Sequence, residues 1–129
     1  MTRHRPILLA DDDEAALEGL RSLLEAWGYA VKTAQDGRAA LALVAEVRPS
    51  VVITDVVMPA MSGLELLEAV HRDEPAIPVI VLTAHGTADT RRRAVAHGAF
   101  AYLPKPVDTE RLKSLLDRAV EGASGGAAF

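Results

Sequence analysis

Cysteine is absent from the 129 residues, which excludes disulfide frameworks, thiolate zinc sites, iron–sulfur ligation and cysteine nucleophiles together. Asparagine is missing too. With the glycines scattered along the chain, neither a Walker loop nor a kinase catalytic loop can be assembled, so the triplet His71-Arg72-Asp73 is a chance match. No apolar run approaches the roughly 18 residues that span a bilayer, and Met1-Thr2-Arg3-His4-Arg5-Pro6 holds no hydrophobic stretch for a signal peptide. The expected compartment is the cytosol, and no membrane partner is expected. A basic excess is also lacking: 14 basic residues face 18 acidic ones for a net charge of −4. Direct nucleic-acid binding by this segment is therefore not expected.

What is present is aliphatic. Half of the residues are hydrophobic, supplied by 23 Ala, 16 Leu, 13 Val and 4 Ile rather than by the five aromatics, a composition able to bury a core within one domain. Ile7 to Ala10 is a short apolar run, and Leu17, Leu20, Leu24 and Trp27 then recur at helical spacing until Gly28. Ala30 to Ala34, with Lys32 opposite Val31 and Thr33, suits a half-exposed edge strand, and Asp36-Gly37 supplies a turn. Leu41, Val44 and Val47 mark a second helix that ends at Arg48-Pro49, before the β-branched run Val51-Val52-Ile53.

Ser62-Gly63-Leu64-Glu65 has the capping-box pattern and opens a third helix through Leu64, Leu67 and Val70. Val79 to Leu82 is another buried strand. Thr87 to His97 is helical in propensity, with only Ala94 and Val95 as an apolar stripe, so this fourth helix should be the most loosely held. Phe100 to Leu103 makes a fifth strand, and Asp108 caps a last helix carrying Leu112, Leu115, Leu116, Ala119 and Val120. Strands alternating with helices imply an α/β, doubly wound parallel sheet covered on both faces. Residues 1–121 form the expected domain, with Met1 as its natural start, and 122–129 read as a flexible tail or a truncated linker.

In such sheets ligands bind beyond the carboxyl ends of the strands. There stand Asp11, Asp12 and Asp13 after strand one, Asp55 after strand three, Thr83 after strand four, and Pro104-Lys105-Pro106 after strand five. Converging carboxylates repel each other unless a cation joins them. All-oxygen donors favour magnesium, which completes its shell with water and phosphate oxygens. A lysine and a hydroxyl added to that set suit a phosphoryl group, with a carboxylate as nucleophile and Asp55 the central candidate.

These residues resemble the receiver domain of two-component response regulators. The likeness runs from residue 7 to about 120 through Ile7-Leu8-Leu9-Ala10-Asp11-Asp12-Asp13, Asp36-Gly37, Val52-Ile53-Thr54-Asp55-Val56-Val57-Met58-Pro59-Ala60-Met61-Ser62-Gly63, Val81-Leu82-Thr83-Ala84 and Gly98-Ala99-Phe100-Ala101-Tyr102-Leu103-Pro104-Lys105-Pro106. It implies a flavodoxin-like sheet of order 2-1-3-4-5. It further implies a phosphorylation-activated switch in which Asp55 accepts phosphate from a phosphohistidine of a sensor histidine kinase or phosphotransfer protein. Asp12, Asp55 and the Val57 carbonyl would hold Mg2+, with Asp11 acting through water. Thr83 and Lys105 would contact the phosphoryl oxygens, Tyr102 would reorient as Thr83 moves, and the Lys105–Pro106 bond would be cis. The domain would be a monomer or a phosphorylation-dependent dimer, feeding an output domain or protein that its residues do not identify.

Plainer explanations compete at several positions. Acids after strand one also cap helices, and Asp13 does only that. Arg91-Arg92-Arg93 is a solvated helix face more readily than a docking patch. His4, His71, His85 and His97 lack metal-ligand spacing and belong on the surface, with only His85 near the pocket. A magnesium-dependent phosphatase is the enzymatic rival, weakened because Val57 stands where a familiar motif needs a second Asp. A pure interaction module is weakened by the intact acid, hydroxyl and lysine set.

Overall fold

The computed structural model describes residues 5–122. Ten elements alternate along the chain: β1 (Ile7–Ala10), α1 (Glu14–Ala26), β2 (Val31–Ala34), α2 (Gly37–Val47), β3 (Val51–Thr54), α3 (Gly63–Asp73), β4 (Val79–Thr83), α4 (Ala88–Ala96), β5 (Ala101–Pro104) and α5 (Thr109–Val120). The strands form one sheet of order β2-β1-β3-β4-β5, and every pairing is parallel. The sheet is the doubly wound one expected. Apart from Gly122, the residues expected to form a tail lie outside those described.

The central strands are uninterrupted apolar runs because both of their faces are covered. Leu8, Val52 and Val81 point to the side closed by α2, α3 and α4, where they meet Val44, Leu67 and Val70. Ile7, Leu9, Ile53 and Ile80 point to the side closed by α1 and α5, where they meet Leu17, Leu24, Leu112 and Leu116. Each fully buried Leu or Ile of this kind contributes about 1.5–3 kcal/mol by leaving water, so the helices are fixed to the sheet by packing.

Helix ends follow local chemistry. Asp13 caps α1 by accepting the Ala15 and Ala16 amides, Ser62 and Glu65 form the predicted capping box, and Asp108 caps α5. Two further caps were not expected: Asp36, read as a turn residue, caps α2, and Thr87 pairs with Thr90 at the start of α4. Gly28 ends α1 with φ +97°, a left-handed conformation that costs a glycine nothing.

Three sequence expectations need correction. Val95 does not share a buried stripe with Ala94; it is 49% exposed whereas Ala94 is buried, because adjacent helical positions lie about 100° apart around the axis. Thr83 and Pro104 are the last residues of β4 and β5 rather than the first beyond them, and β5 starts at Ala101 instead of Phe100. Among the described residues, no helix is long and apolar enough to cross a membrane.

Candidate functional site

Three backbone hydrogen bonds carry the sheet ladder past the strand ends. The Asp11 amide donates to the Ala34 carbonyl at 3.1 Å, the Asp55 amide to Ala10 at 3.0 Å and the Lys105 amide to Thr83 at 3.0 Å. They fix the residues following β1, β3 and β5 on one edge of the sheet, so the side chains converge from rigid supports.

Lys105 Nζ donates to Asp11 Oδ2 at 2.7 Å and to Asp55 Oδ2 at 3.2 Å. The remaining carboxylate oxygens are oriented by the backbone: the Val56 amide donates to Asp55 Oδ1 at 2.6 Å, and the Asp13 amide to Asp11 Oδ1 at 2.9 Å. Burial works against the charge on Lys105, but the hydrogen bonds to Asp11 and Asp55 and their negative charges outweigh it and hold the amine above its ordinary pKa. One cation thus serves two carboxylates. Asp12 is exposed at the rim, yet oxygens of Asp11, Asp12 and Asp55 all lie within 4.8 Å of one another. A donor set made only of oxygens, with more negative charge than Lys105 can balance, fits a hard divalent cation.

The structure thus brings Asp11, Asp12, Asp55 and Lys105 together. Val57, two residues beyond Asp55 in the chain, is 56% exposed, and the Lys105–Pro106 peptide bond is cis. The other two predicted residues are engaged elsewhere. Buried Thr83 accepts the His85 amide on Oγ1 at 3.1 Å, and the hydroxyl of buried Tyr102 bonds Thr90 Oγ1 at 2.7 Å. A Cβ on Gly86 would stand 2.5 Å from the Tyr102 hydroxyl and 3.1 Å from Thr83 Cγ2, so this glycine leaves the room that lets Tyr102 lie inward. Neither Thr90 nor Gly86 emerges from the sequence, although the Thr87-x-x-Thr90 spacing is a capping signal.

Asp13 is the helix cap it was expected to be. His71 and His85 are exposed, and His97 Nε2 lies 3.6 Å from Glu68; His4 lies outside the described residues. The arginine run is exposed as anticipated, and its guanidinium groups reach Tyr102, Asp89 and Glu68 respectively. Beside the acids a cavity of about 270 Å³ opens between α1 and the segment after β5, with Leu20, Leu23, Pro106 and Val107 in its apolar wall and Asp55 and Lys105 on its lining.

A flavodoxin-like sheet with clustered carboxylates and one lysine at its switch point defines a class of α/β domain whose ligand site is built from strand ends. Comparison with known proteins sharpens this. The response regulator receiver domain model matches residues 7–117. Response regulator MprA of Mycolicibacterium vanbaalenii is 42% identical over 129 residues, covering 95% of this chain and 56% of that protein. The DNA-binding transcriptional regulator NtrC of Salmonella typhimurium is 37% identical over 114 residues, covering 88% of this chain and 24% of that protein. Among solved structures, a response regulator receiver domain protein from Clostridium thermocellum superposes with a TM-score of 0.86 at 36% identity, covering 91% of this chain and 94% of that one. The chain belongs to the response regulator receiver domain family. It spans about a quarter to little more than half of the length of the two curated relatives named here.

Proposed function

We propose that this receiver domain is a switch set by phosphorylation of Asp55. The observation that carries the proposal is the double hydrogen bond of Lys105 to Asp11 and Asp55, which holds an ammonium beside the one carboxylate at the centre of the sheet edge. An Asp55 oxygen attacks the phosphorus of a phosphohistidine in line, the P–N bond breaks, and the imidazole leaves with the electron pair. Lys105 shifts from the carboxylates to a phosphoryl oxygen, and Thr83 offers its hydroxyl to another. Asp12, Asp55 and the Val57 carbonyl, with Asp11 assisting, would hold Mg2+, which would supply charge neutralisation for the transferring group.

In this proposal the domain catalyses both the gain of the phosphoryl group and its later hydrolysis. The phosphodonor is a sensor histidine kinase or a phosphotransfer protein, and the apolar cavity beside Asp55 gives that partner a surface adjoining the acceptor. Thr83 and Tyr102 form the switch, and the α4–β5 face is its output. The domain occupies residues 1–121 and acts in the cytoplasm on an output domain or protein, as a monomer or as a phosphorylation-dependent dimer.

The test is transfer of labelled phosphate from acetyl phosphate or a phosphorylated kinase. Asp55→Asn should abolish incorporation, since an amide is a far poorer nucleophile, and removing Mg2+ should do the same to the unchanged chain. Labelling of Asp55→Asn at the original rate would refute the assignment.

A further inference from the structure

The turn from Asp55 to Ser62 links the acceptor carboxylate to α3 and contains Val57. It is tightly wound: Ala60 has φ +69°, and the Met61 amide folds back onto the Pro59 carbonyl at 2.7 Å. Two glycines hold it. At its root, a Cβ on Gly63 would lie 1.8 Å from the Asp55 carbonyl oxygen, and the Gly63 amide closes the turn on the Val56 carbonyl at 2.8 Å. Near its end, beside the α3 cap, a Cβ on Gly37 would lie 2.2 Å from the Met61 carbonyl oxygen, 2.6 Å from Met61 Cβ and 2.8 Å from the Met61 carbonyl carbon.

The contact with Gly37 is the more informative. Gly37 does not have a left-handed φ, so contact, and not backbone conformation, demands a glycine there. None of the three opposing atoms is the far end of a flexible side chain, and a packed interior transmits such a clash instead of absorbing it. Gly37 has little freedom to retreat. It is buried as the first residue of α2, whose cap Asp36 accepts the Ala39 amide at 2.7 Å and, on its carbonyl, the Ala40 amide at 3.1 Å.

We infer that Gly37 is a positioning residue for the cation site. Its missing side chain lets the start of α2 seat against Met61, which sets the height of the turn and with it the placing of Asp55 and the Val57 carbonyl as oxygen ligands. Gly37 acts wholly through Met61. The inference rests on the proposal that a divalent cation binds at Asp12, Asp55 and Val57.

The experiment compares Gly37→Ala with Gly19→Ala, the control, because a Cβ at Gly19 meets nothing within 4 Å. Mg2+ is titrated into each protein by calorimetry, and thermal midpoints are taken without metal. Gly37→Ala should bind Mg2+ roughly tenfold or more weakly, the scale found when residues supporting metal ligands are lost, while Gly19→Ala keeps the original affinity. A glycine needed only for stability would lower the midpoint and leave the affinity of the folded protein alone, so equal Mg2+ affinity in folded Gly37→Ala overturns the inference. Should Gly37→Ala fail to fold, the unchanged chain decides: the Gly37 and Met61 amide NMR signals should shift with residues 55–57 on saturation with Mg2+, and fixed signals at 37 and 61 overturn it. Failure of the underlying proposal looks different. There the unchanged chain binds no Mg2+, or Asp12→Ala binds it equally well, and both ideas fall.

Discussion

Helices α3 and α4 each follow a strand that feeds the pocket, and each opens with a capping box, Ser62 with Glu65 in one and Thr87 with Thr90 in the other. Beyond the first turn they part. Of its 11 residues α3 buries six, including Leu64, Leu66, Leu67 and Val70, whereas α4 buries only Ala94 of its 9. The hydrophobic term that fixes α3 is largely missing from α4, which is held at its ends instead. At its start the Thr90 hydroxyl bonds both the Thr87 carbonyl, at 3.0 Å, and the Tyr102 hydroxyl; toward its end Arg93 and His97 approach Glu68 at 3.9 and 3.6 Å. Elements secured by a few polar contacts open at lower cost than those secured by packing. The face of the sheet that these two helices cover therefore has a fixed part and a yielding part.

The largest effect that could break this contrast is expected on the fixed side. Leu67→Ala should lower the unfolding free energy by about 2–5 kcal/mol in urea titrations, since Leu67 is fully buried and its removal leaves a cavity. A smaller loss would mean that α3 is no better packed than α4.

Next in size is Lys105→Met, which strips two carboxylates of their shared amine. In the absence of metal its melting temperature should fall by several degrees, and Mg2+ should recover more of it than in the unchanged chain. The pH dependence has a fixed sign. Because the folded pKa of Lys105 lies above its ordinary 10.5, the protonated amine favours folding. Its contribution is complete below the ordinary value and is lost as pH rises through the folded one. The two proteins should thus differ at pH 7 and converge only in strongly alkaline solution. Convergence near neutrality would contradict the ion-pair geometry.

On the yielding side, Thr90→Val should cost about 1 kcal/mol, the usual worth of a capping hydroxyl. Hydrogen exchange should speed up across residues 84–103 and stay unchanged in α3. Equal acceleration in both helices would erase the distinction. The smallest effect belongs to Val95→Ala, which should stay within about 0.5 kcal/mol as an exposed substitution. A cost comparable to that of Leu67→Ala would show α4 to be packed after all.

The same contrast explains what could be read from the sequence. Strands buried on both faces are continuous apolar runs, so β1, β3 and β4 stand out, and a helix with a wide apolar face such as α3 announces itself through Leu64, Leu67 and Val70. The acids and Lys105 were legible because parallel strands bring all their carboxyl ends to one edge. For α4 periodicity had little to work with, and Val95 was misplaced on the buried side. Contacts between distant segments leave no local trace. The Tyr29 hydroxyl donates to the Asp117 carboxylate across 88 positions, and the glycines at 37 and 63 matter for what opposes them in space. Their neighbours in sequence indicate a turn and a helix start, not a close approach to backbone.

Lys105 reaches Asp11 across 94 positions and Asp55 across 50, with β5, the strand that delivers it, at one edge of the sheet. A chain still emerging from the ribosome therefore carries both acids well before it carries their amine. Even after residue 105 has been made, the ammonium reaches them only when Ala101–Pro104 has paired with β4. Competence for phosphoryl transfer, as proposed for this pocket, is thus withheld from nascent and half-zipped chains. On that proposal, a signal can be written only onto a finished sheet.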